Sequence, residues 1–254
     1  MIRIEGLWKS FNGTDVLRGV DFEIRDGATT VIIGRSGGGK SVLLKHLCGL
    51  LKPQRGRVIV DDVDVVSLGE RELTPIRKQF GFLFQGAALF DSMTLFDNVA
   101  FPLREERRPE TEVKQRVDEM LELVDLAKAA EKKPAELSGG MRKRGGLARA
   151  CVRHPKYILY DEPTTGLDPV RADNINEMIL RLRDRLGVTG VAVTHDMVSA
   201  YKIADQIAML HEGRIYAVGA PKEIQATTDP VVRQFIEGVA DRKMEVQHGT
   251  ATIH

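Results

Sequence analysis

The chain has 254 residues, of which 43% are apolar and 29% charged, and its formal net charge is +1. This is enough chain for a buried core in one large domain, or in one domain carrying an insertion. The near-balance of charge excludes a whole-chain field that would draw nucleic acid or an anionic membrane, and nowhere do apolar residues run to the roughly eighteen that a membrane-crossing helix needs.

Met1-Ile2-Arg3-Ile4-Glu5 alternates like a strand and lacks the apolar core of a signal peptide, so the chain is expected to stay in the cytoplasm unless a partner holds it at a membrane. Up to about Val66 the chain reads mainly as strands, with Ile2 and Ile4, then Val20, Phe22 and Ile24, alternating with polar residues. Arg25-Asp26-Gly27 is a turn into Thr29-Thr30-Val31-Ile32-Ile33, a β-branched run that reads as a buried strand. Gly34 to Ser41, Gly-Arg-Ser-Gly-Gly-Gly-Lys-Ser, follows the pattern G-x-x-x-x-G-K-[ST], and a helix opens after it. Gly56 to Val60 and Val63 to Val66 form a second hairpin closed by Asp61-Asp62, and Phe80 to Phe84 is a short strand ending at Gln85.

From about Gly86 to Val152 strand signals vanish. Val113, Val117, Met120, Leu121 and Val124 keep helical spacing, Gly139-Gly140 marks a break, and a further helix follows. This reads as a helical insertion in an α/β core. The core resumes with the strand Tyr157 to Asp161, a helix over about Arg171 to Leu186 and the strand Val191 to Thr194 ending at His195. Gln206 to Leu210 and Arg214 to Val218 make a hairpin, and from Pro221 onward come short helices and a polar tail. Strands alternating with helices predict a mainly parallel sheet with ligands at the strands' carboxyl ends. Cys48 and Cys151 sit in apolar, helix-like segments and suit a reducing compartment; buried structural thiols are the plain reading, a disulfide or catalytic cysteine the alternative.

The glycine loop between strand and helix reads as a phosphate cradle, with a Gly-rich turn that holds no ligand as the alternative. Its backbone N–H groups turn inward, the helix start adds its positive dipole end, Lys40 reaches the β- and γ-phosphates, and the Ser41 hydroxyl can ligate Mg²⁺. Gly34, Gln85, Asp161-Glu162 and His195 all fall at or just past strand ends, so parallel neighbouring strands would gather them on one edge. Asp161 can hold the metal and Glu162, pointing elsewhere, can orient or deprotonate a water; a solvated acidic turn before Pro163 is the alternative. His195 can bond the γ-phosphate or be a satisfied turn histidine. Gln85 can touch Mg²⁺ or the attacking water. Phe11 can stack on a base or simply pack. Ser138 N-caps a helix whose Gly139 and Gly140 can bind an anion, either as a plain capped start or as the wall of a second copy's nucleotide pocket. Arg142-Lys143-Arg144 reads as a solvated or interface face rather than a nucleic-acid patch. Gly145-Gly146 inside that helix costs about 1 kcal/mol per glycine, which close approach of another backbone would explain.

The order of these motifs, namely the phosphate loop, Gln85, Leu137-Ser138-Gly139-Gly140, Tyr160-Asp161-Glu162-Pro163, Gly166-Leu167-Asp168 and His195, resembles that of ABC-type ATPases over about residues 1–238. The resemblance implies an α/β fold: a P-loop NTPase core with a mainly parallel sheet, an N-terminal antiparallel β-subdomain and an inserted α-helical subdomain at about 86–152, all in one domain over 1–238, with a tail at 239–254. It implies ATP and Mg²⁺ as cofactors. Nucleotide binding would fall to Phe11, Gly34, Arg35, Ser36, Gly37, Gly38, Gly39, Lys40, Ser41 and Val42, with Ser138, Gly139 and Gly140 closing the site of the second copy in a head-to-tail dimer. Ser41, Gln85 and Asp161 would serve the metal, Glu162, His195, Gln85 and Lys40 the chemistry, and Asp168 would lie at the dimer seam. The insertion would pass motion to transmembrane permease subunits near Gln85.

Phe82 to Phe90, Leu95 to Glu105 and Asp229 to Phe235 further resemble the ATPases of MCE-linked (Mla-type) phospholipid transport systems. That implies lipid traffic between the inner and outer membranes of a diderm bacterium, a peripheral place on the cytoplasmic side of the inner membrane, and a periplasmic MCE-domain protein in the complex. Met141 departs from the Gln usual in ABC ATPases and Phe11 from the commoner Tyr; neither removes a catalytic group. A different transporter (polar solute import or lipoprotein extrusion) or a soluble ABC ATPase acting on nucleic acid or ribosomes are the competing functions. The latter usually carries a long coiled coil or a second cassette, and neither is found here, so no nucleic acid is expected among the partners.

Overall fold

Two adjacent sheets share the strand-rich half of the molecule. The computed structural model describes residues 1–238; the tail expected at 239–254 lies outside them. β1 (Ile2–Phe11) and β2 (Thr14–Ile24) form a hairpin, β1 also pairs antiparallel with β4 (Arg55–Val60), and β4 with β5 (Val63–Asp64), giving the order β2-β1-β4-β5. Asp61 and Asp62 both have positive φ, as the tight turn between β4 and β5 requires. The second arm of that hairpin is shorter than the expected Val63 to Val66. The Asp64 carboxylate accepts the Val66 N–H at 3.0 Å and the Asp64 carbonyl accepts the Ser67 hydroxyl at 2.8 Å, a side-chain turn that takes the chain off the ladder.

The second sheet has the order β10-β9-β3-β8-β7-β6, built from β3 (Thr29–Ile33), β6 (Phe80–Leu83), β7 (Tyr157–Asp161), β8 (Thr189–Thr194), β9 (Gln206–His211) and β10 (Arg214–Gly219). β9, β3, β8, β7 and β6 are parallel, and only β10 runs against its neighbour. β3 is buried throughout, and its alternation sends Val31 and Ile33 into one core and Ile32 into another. The first core lies under the helical half, with Ile158, Tyr160 and Ala192 from the same sheet face. The second unites the opposite face, through Leu159, Val191 and Val193, with the N-terminal sheet and α1 (Lys40–Leu47). Burial on both faces is why these strands read as continuous apolar runs.

Among the described residues, no strand lies between Leu83 and Tyr157. That stretch holds α3 (Leu95–Glu105), α4 (Glu110–Leu123), α5 (Gly139–Cys151) and two short 3₁₀ turns. Three helices do not stand out in the sequence: α3, which contains Pro102, the eight-residue α2 (Glu70–Arg77), which contains Pro75, and the seven-residue α7 (Met197–Ile203). α6 (Pro169–Leu186) starts two residues before its apolar periodicity, because the Asp168 carboxylate accepts the Arg171 N–H at 3.0 Å and Pro169 occupies the first helical position. Short helices α8 (Pro221–Ala226) and α9 (Pro230–Glu237) close the described chain, the latter capped by Asp229.

The glycine pair in α5 has a packing reason, in part the one its sequence predicts: a backbone carbonyl approaches Gly146, while the other close neighbours are side chains. A Cβ at Gly145 would lie 2.6 Å from a Leu95 methyl, and one at Gly146 would lie 3.1 Å from both the Ala87 Cβ and carbonyl oxygen. Side chains of α3 and the loop after β6, with one carbonyl among them, are what approach. Asn98 fixes the segment before α3: its carboxamide accepts the Phe90 N–H at 2.7 Å and donates to the carbonyls of Phe90 and Thr94 at 3.1 and 2.9 Å. It is fully buried. Asn98→Ala is therefore expected to lower stability by about 1–3 kcal/mol, read as a lower urea midpoint with an unchanged slope.

Candidate functional site

β3 delivers the chain to the phosphate loop, and α1 begins at Lys40. Gly39 has φ +94, and a Cβ there would sit 2.8 Å from the Val16 Cγ1, so the loop closes against β2 only with glycine at this position. Lys40 is buried, and its ammonium donates to the carbonyls of Gly34 and Arg35 at 2.9 and 3.1 Å, with Glu162 Oε1 at 3.6 Å. Burial pulls its pKa below the ordinary lysine value, and the Glu162 and Asp161 carboxylates act in the other direction. A cleft of about 350 Å³ opens beside it, lined by Ser36, Gly37, Gly39, Lys40, Ser41, Val42, Val16, Gln85, Glu162 and His195.

The sheet order explains this convergence. β3, β8, β7 and β6 are consecutive parallel neighbours, with Ile33 opposite Thr194, Asp161 opposite Val193 and Leu83 opposite Tyr160. The residues just past each strand end, Gly34, His195, Glu162 and Gln85, thus emerge along one edge. Asp161 and Glu162 diverge because Glu162 leaves the strand with φ +49, a conformation costing a non-glycine residue on the order of 1–3 kcal/mol. The Asp161 carboxylate accepts the Ser41 hydroxyl at 2.6 Å, whereas the Glu162 carboxylate meets the Nδ1 of His195 at 3.0 Å. Thr165 and Thr194 donate their hydroxyls to the Glu162 Oε2 at 3.0 and 3.3 Å. Glu162 is buried and His195 is half exposed toward the cleft.

Ser41 and Asp161 offer hard oxygen donors side by side, and Gln85 lines the same cleft. That donor set fits Mg²⁺, which takes one or two protein oxygens and completes its shell with phosphate and water. Among the described residues no group of three or more His, Cys, Asp or Glu could hold a metal unaided. Two ammoniums, Lys40 and Lys143, stand near the two carboxylates, Asp161 and Glu162, so an added polyphosphate meets a site close to neutral.

Not every residue singled out in the sequence lies in this cleft. Phe11 is exposed at the end of β1, its ring under the Lys9 ammonium at 5.1 Å; the cleft is lined instead by Val16 on the following strand. Ser138, Gly139 and Gly140 begin α5, and the Ser138 hydroxyl accepts the Met141 N–H at 3.3 Å. Ser138 and Gly140 line a different opening of about 470 Å³, with Arg144, Arg171 and Arg181. Cys48 and Cys151 are buried free thiols, their pKa values pushed up by burial to about 11 and about 12, so neither is a nucleophile at neutral pH.

The basic run after Gly140 requires a correction. Arg142 is exposed, but Lys143 is buried, not on a solvated face: its ammonium donates to the Glu162 carbonyl at 3.0 Å and to the Gln85 carbonyl. Arg144 donates to the Val124 carbonyl at 2.9 Å. Lys143 is a site residue that sequence reasoning missed, and Thr165 and Thr194 are others. Three consecutive basic residues look alike in sequence; only the seating of α5 against β6 and β7 sorts them. The signal available was the glycine pair two residues further on, which marks that face of the helix as packed.

The ABC transporter family model matches residues 17–165. The "Probable ribonucleotide transport ATP-binding protein mkl" of Mycobacterium leprae is 45% identical over 239 residues, covering 93% of this chain and 69% of that protein; for the Mycobacterium bovis counterpart the share is 66%. The methionine import ATP-binding protein MetN of Carboxydothermus hydrogenoformans is 39% identical, covering 96% of this chain and 74% of that protein. The intermembrane phospholipid transport system ATP-binding protein MlaF of Haemophilus influenzae is 40% identical, covering 87% and 84%. A solved dimeric ATP-binding cassette, in a post-hydrolysis state bound to ADP and Pi, superposes with a TM-score of 0.80 at 32% identity, covering 87% of this chain and 99% of that one.

Proposed function

The chain belongs to the ABC transporter family and is an ATPase subunit, and from that premise we propose that it powers phospholipid movement between the inner and outer membranes of a diderm bacterium. The observation that carries the hydrolytic half is the meeting of the Glu162 carboxylate with Lys40 at 3.6 Å and His195 at 3.0 Å, on the lip of the phosphate loop. In the mechanism Lys40 leaves the Gly34 and Arg35 carbonyls for the β- and γ-phosphates. Ser41, Asp161 and the Gln85 side chain would hold Mg²⁺, which would supply positive charge against that developing on the phosphates. Glu162, fixed by Thr165 and Thr194, takes the proton of the attacking water. His195 contacts the γ-phosphate and, through Glu162, reports its presence.

The same proposal makes the active unit a head-to-tail dimer, in line with the dimeric cassette it superposes on. Ser138, Gly139 and Gly140 of one copy close the cleft of the other, Asp168 lies near the seam, and Phe11 contributes a base contact. Residues 1–238 act as one domain with 86–152 inserted. Among the described residues no helix is long and apolar enough to cross a membrane, so transmembrane permease subunits supply the passage, with this chain peripheral on the cytoplasmic side and an MCE-domain protein in the periplasm.

Phospholipid is preferred on the likeness of residues 82–90, 95–105 and 229–235 to Mla-type ATPases and on the MlaF relative, which the chain spans most fully among the three relatives. The methionine and ribonucleotide names of the other two support a second reading, import of a polar solute. Purifying the membrane complex through this chain and extracting its contents separates them. The proposal expects bound phospholipid and an MCE-domain protein. A complex that yields no lipid and stimulates ATP hydrolysis on addition of methionine or a ribonucleotide would overturn it.

A further inference from the structure

Lys143 holds together parts of the molecule that the proposed dimer assigns to different ATP sites. It lies on α5, five residues after Ser138, and is only 6% exposed. Its ammonium donates to two backbone carbonyls, Glu162 at 3.0 Å and Gln85, which follow the neighbouring strands β7 and β6. Both acceptors are neutral carbonyls, and the Asp161 and Glu162 carboxylates nearby favour the ammonium against the cost of its burial. An ammonium is far more costly to bury than a methionine of similar length, so packing alone does not account for a lysine here.

The grip extends along the loop. Six residues on, the Arg149 guanidinium donates to the carbonyls of Ala87 and Ala88 at 2.9 and 2.7 Å, residues that both hold the left-handed conformation, with φ +63 and +51. Between them Gly145 and Gly146 let α5 settle against Leu95 and Ala87. The segment from Gln85 to Ala88 is thus fastened to α5 at both ends, and Lys143 adds Glu162 to the same bundle. A shift of α5 carries the Gln85 loop with it.

We infer that Lys143 is a positioning residue that links the two ATP sites of the dimer through one chain. This rests on the head-to-tail reading above. In that arrangement the Ser138 end of α5 meets ATP bound to the partner copy, while Gln85 and Glu162 serve the ATP held by their own chain. Closure at the Ser138 end moves α5, and Lys143 passes that movement to the backbone of the glutamine and the glutamate at the other site. Hydrolysis at the two sites is therefore coupled, and the coupling depends on the Lys143 donors rather than on the volume of the side chain.

The test uses the full chain with Lys143→Met, which keeps length and removes the donors, and Lys143→Arg, which keeps them. Rate is measured against ATP concentration, with equilibrium ATP binding and thermal unfolding in parallel. Wild type is expected to show a Hill coefficient between one and two. Lys143→Met is expected to bind ATP as wild type does, to bring the Hill coefficient to one, and to lower kcat by about ten- to a hundredfold through misplacement of Gln85 and Glu162; Lys143→Arg restores both. A merely structural lysine would lower the unfolding temperature and leave the Hill coefficient untouched, and that result overturns the inference, as does wild-type cooperativity in Lys143→Met. Should Lys143→Met fail to fold, Arg149→Met reads the far end of the same fastening: a lowered Hill coefficient supports the inference and an unchanged one overturns it. If wild type itself fails to dimerise with ATP, the dimer reading falls and the inference with it; if wild type dimerises and Lys143→Met stays cooperative, only the role of Lys143 falls.

Discussion

Replacing Glu162 by Gln is expected to leave ATP binding intact and to lower kcat by about a hundred- to ten-thousandfold, about 3–5 kcal/mol of barrier. The amide keeps the shape of the side chain and can still meet the Thr165 and Thr194 hydroxyls, which lie within 3.0 and 3.3 Å of the carboxylate. What it loses is the proton acceptor. It also removes a negative charge 3.6 Å from the Lys40 ammonium, which leaves that lysine freer for phosphate. ATP should therefore stay bound, and the variant should accumulate closed dimers. Steady-state phosphate release together with filter-retained ATP checks both halves. Hydrolysis near the wild-type rate would remove Glu162 from the role of base.

The second large effect is expected at the start of α5. Ser138→Arg should lower turnover by about a hundredfold or more, the scale on which one lost charge-stabilising contact acts, while the monomer binds ATP as before. Ser138 lines none of the phosphate-loop cleft; it opens α5 beside a different cavity. An arginine there fills the space a partner's phosphates would occupy and places a cation at a helix start, where positive charge is disfavoured. Loss of the serine cap also costs about 1 kcal/mol of stability, a shift of a few degrees that thermal unfolding separates from the catalytic loss. If ATP binding falls in step with turnover, Ser138 belongs to its own chain's site and the two-copy pocket is wrong.

Much of this architecture was legible because its signals are local. The run Thr29 to Ile33 is apolar on both faces, as a central parallel strand must be, and the glycine loop follows it directly. Asp161 and His195 end comparable runs, so the sheet edge could be read before the strand order was known. The helix over residues 95–105 was hidden by Pro102 in its interior and by apolar residues too dense to show a period. The arm after Asp62 is shorter than its apolar pattern suggests because the Asp64 side chain competes with the ladder, a contest between two hydrogen bonds that composition does not record. Lys143 was unreadable for a different reason: whether a lysine is solvated or buried under two carbonyls depends on contacts with β6 and β7, remote in sequence. Glu162 was placed by its neighbours, but the left-handed backbone that turns it away from Asp161 is visible only in the fold.

The claim on which the rest depends is that one chain holds half of the ATP site. Sedimentation of Glu162→Gln with and without ATP, beside the double variant Glu162→Gln/Ser138→Arg, measures it directly. Glu162→Gln is expected to be a monomer alone and a dimer with ATP, and the double variant to bind ATP and remain a monomer. A Glu162→Gln chain that binds ATP and stays monomeric, or a double variant that dimerises as readily as the single one, would contradict the claim.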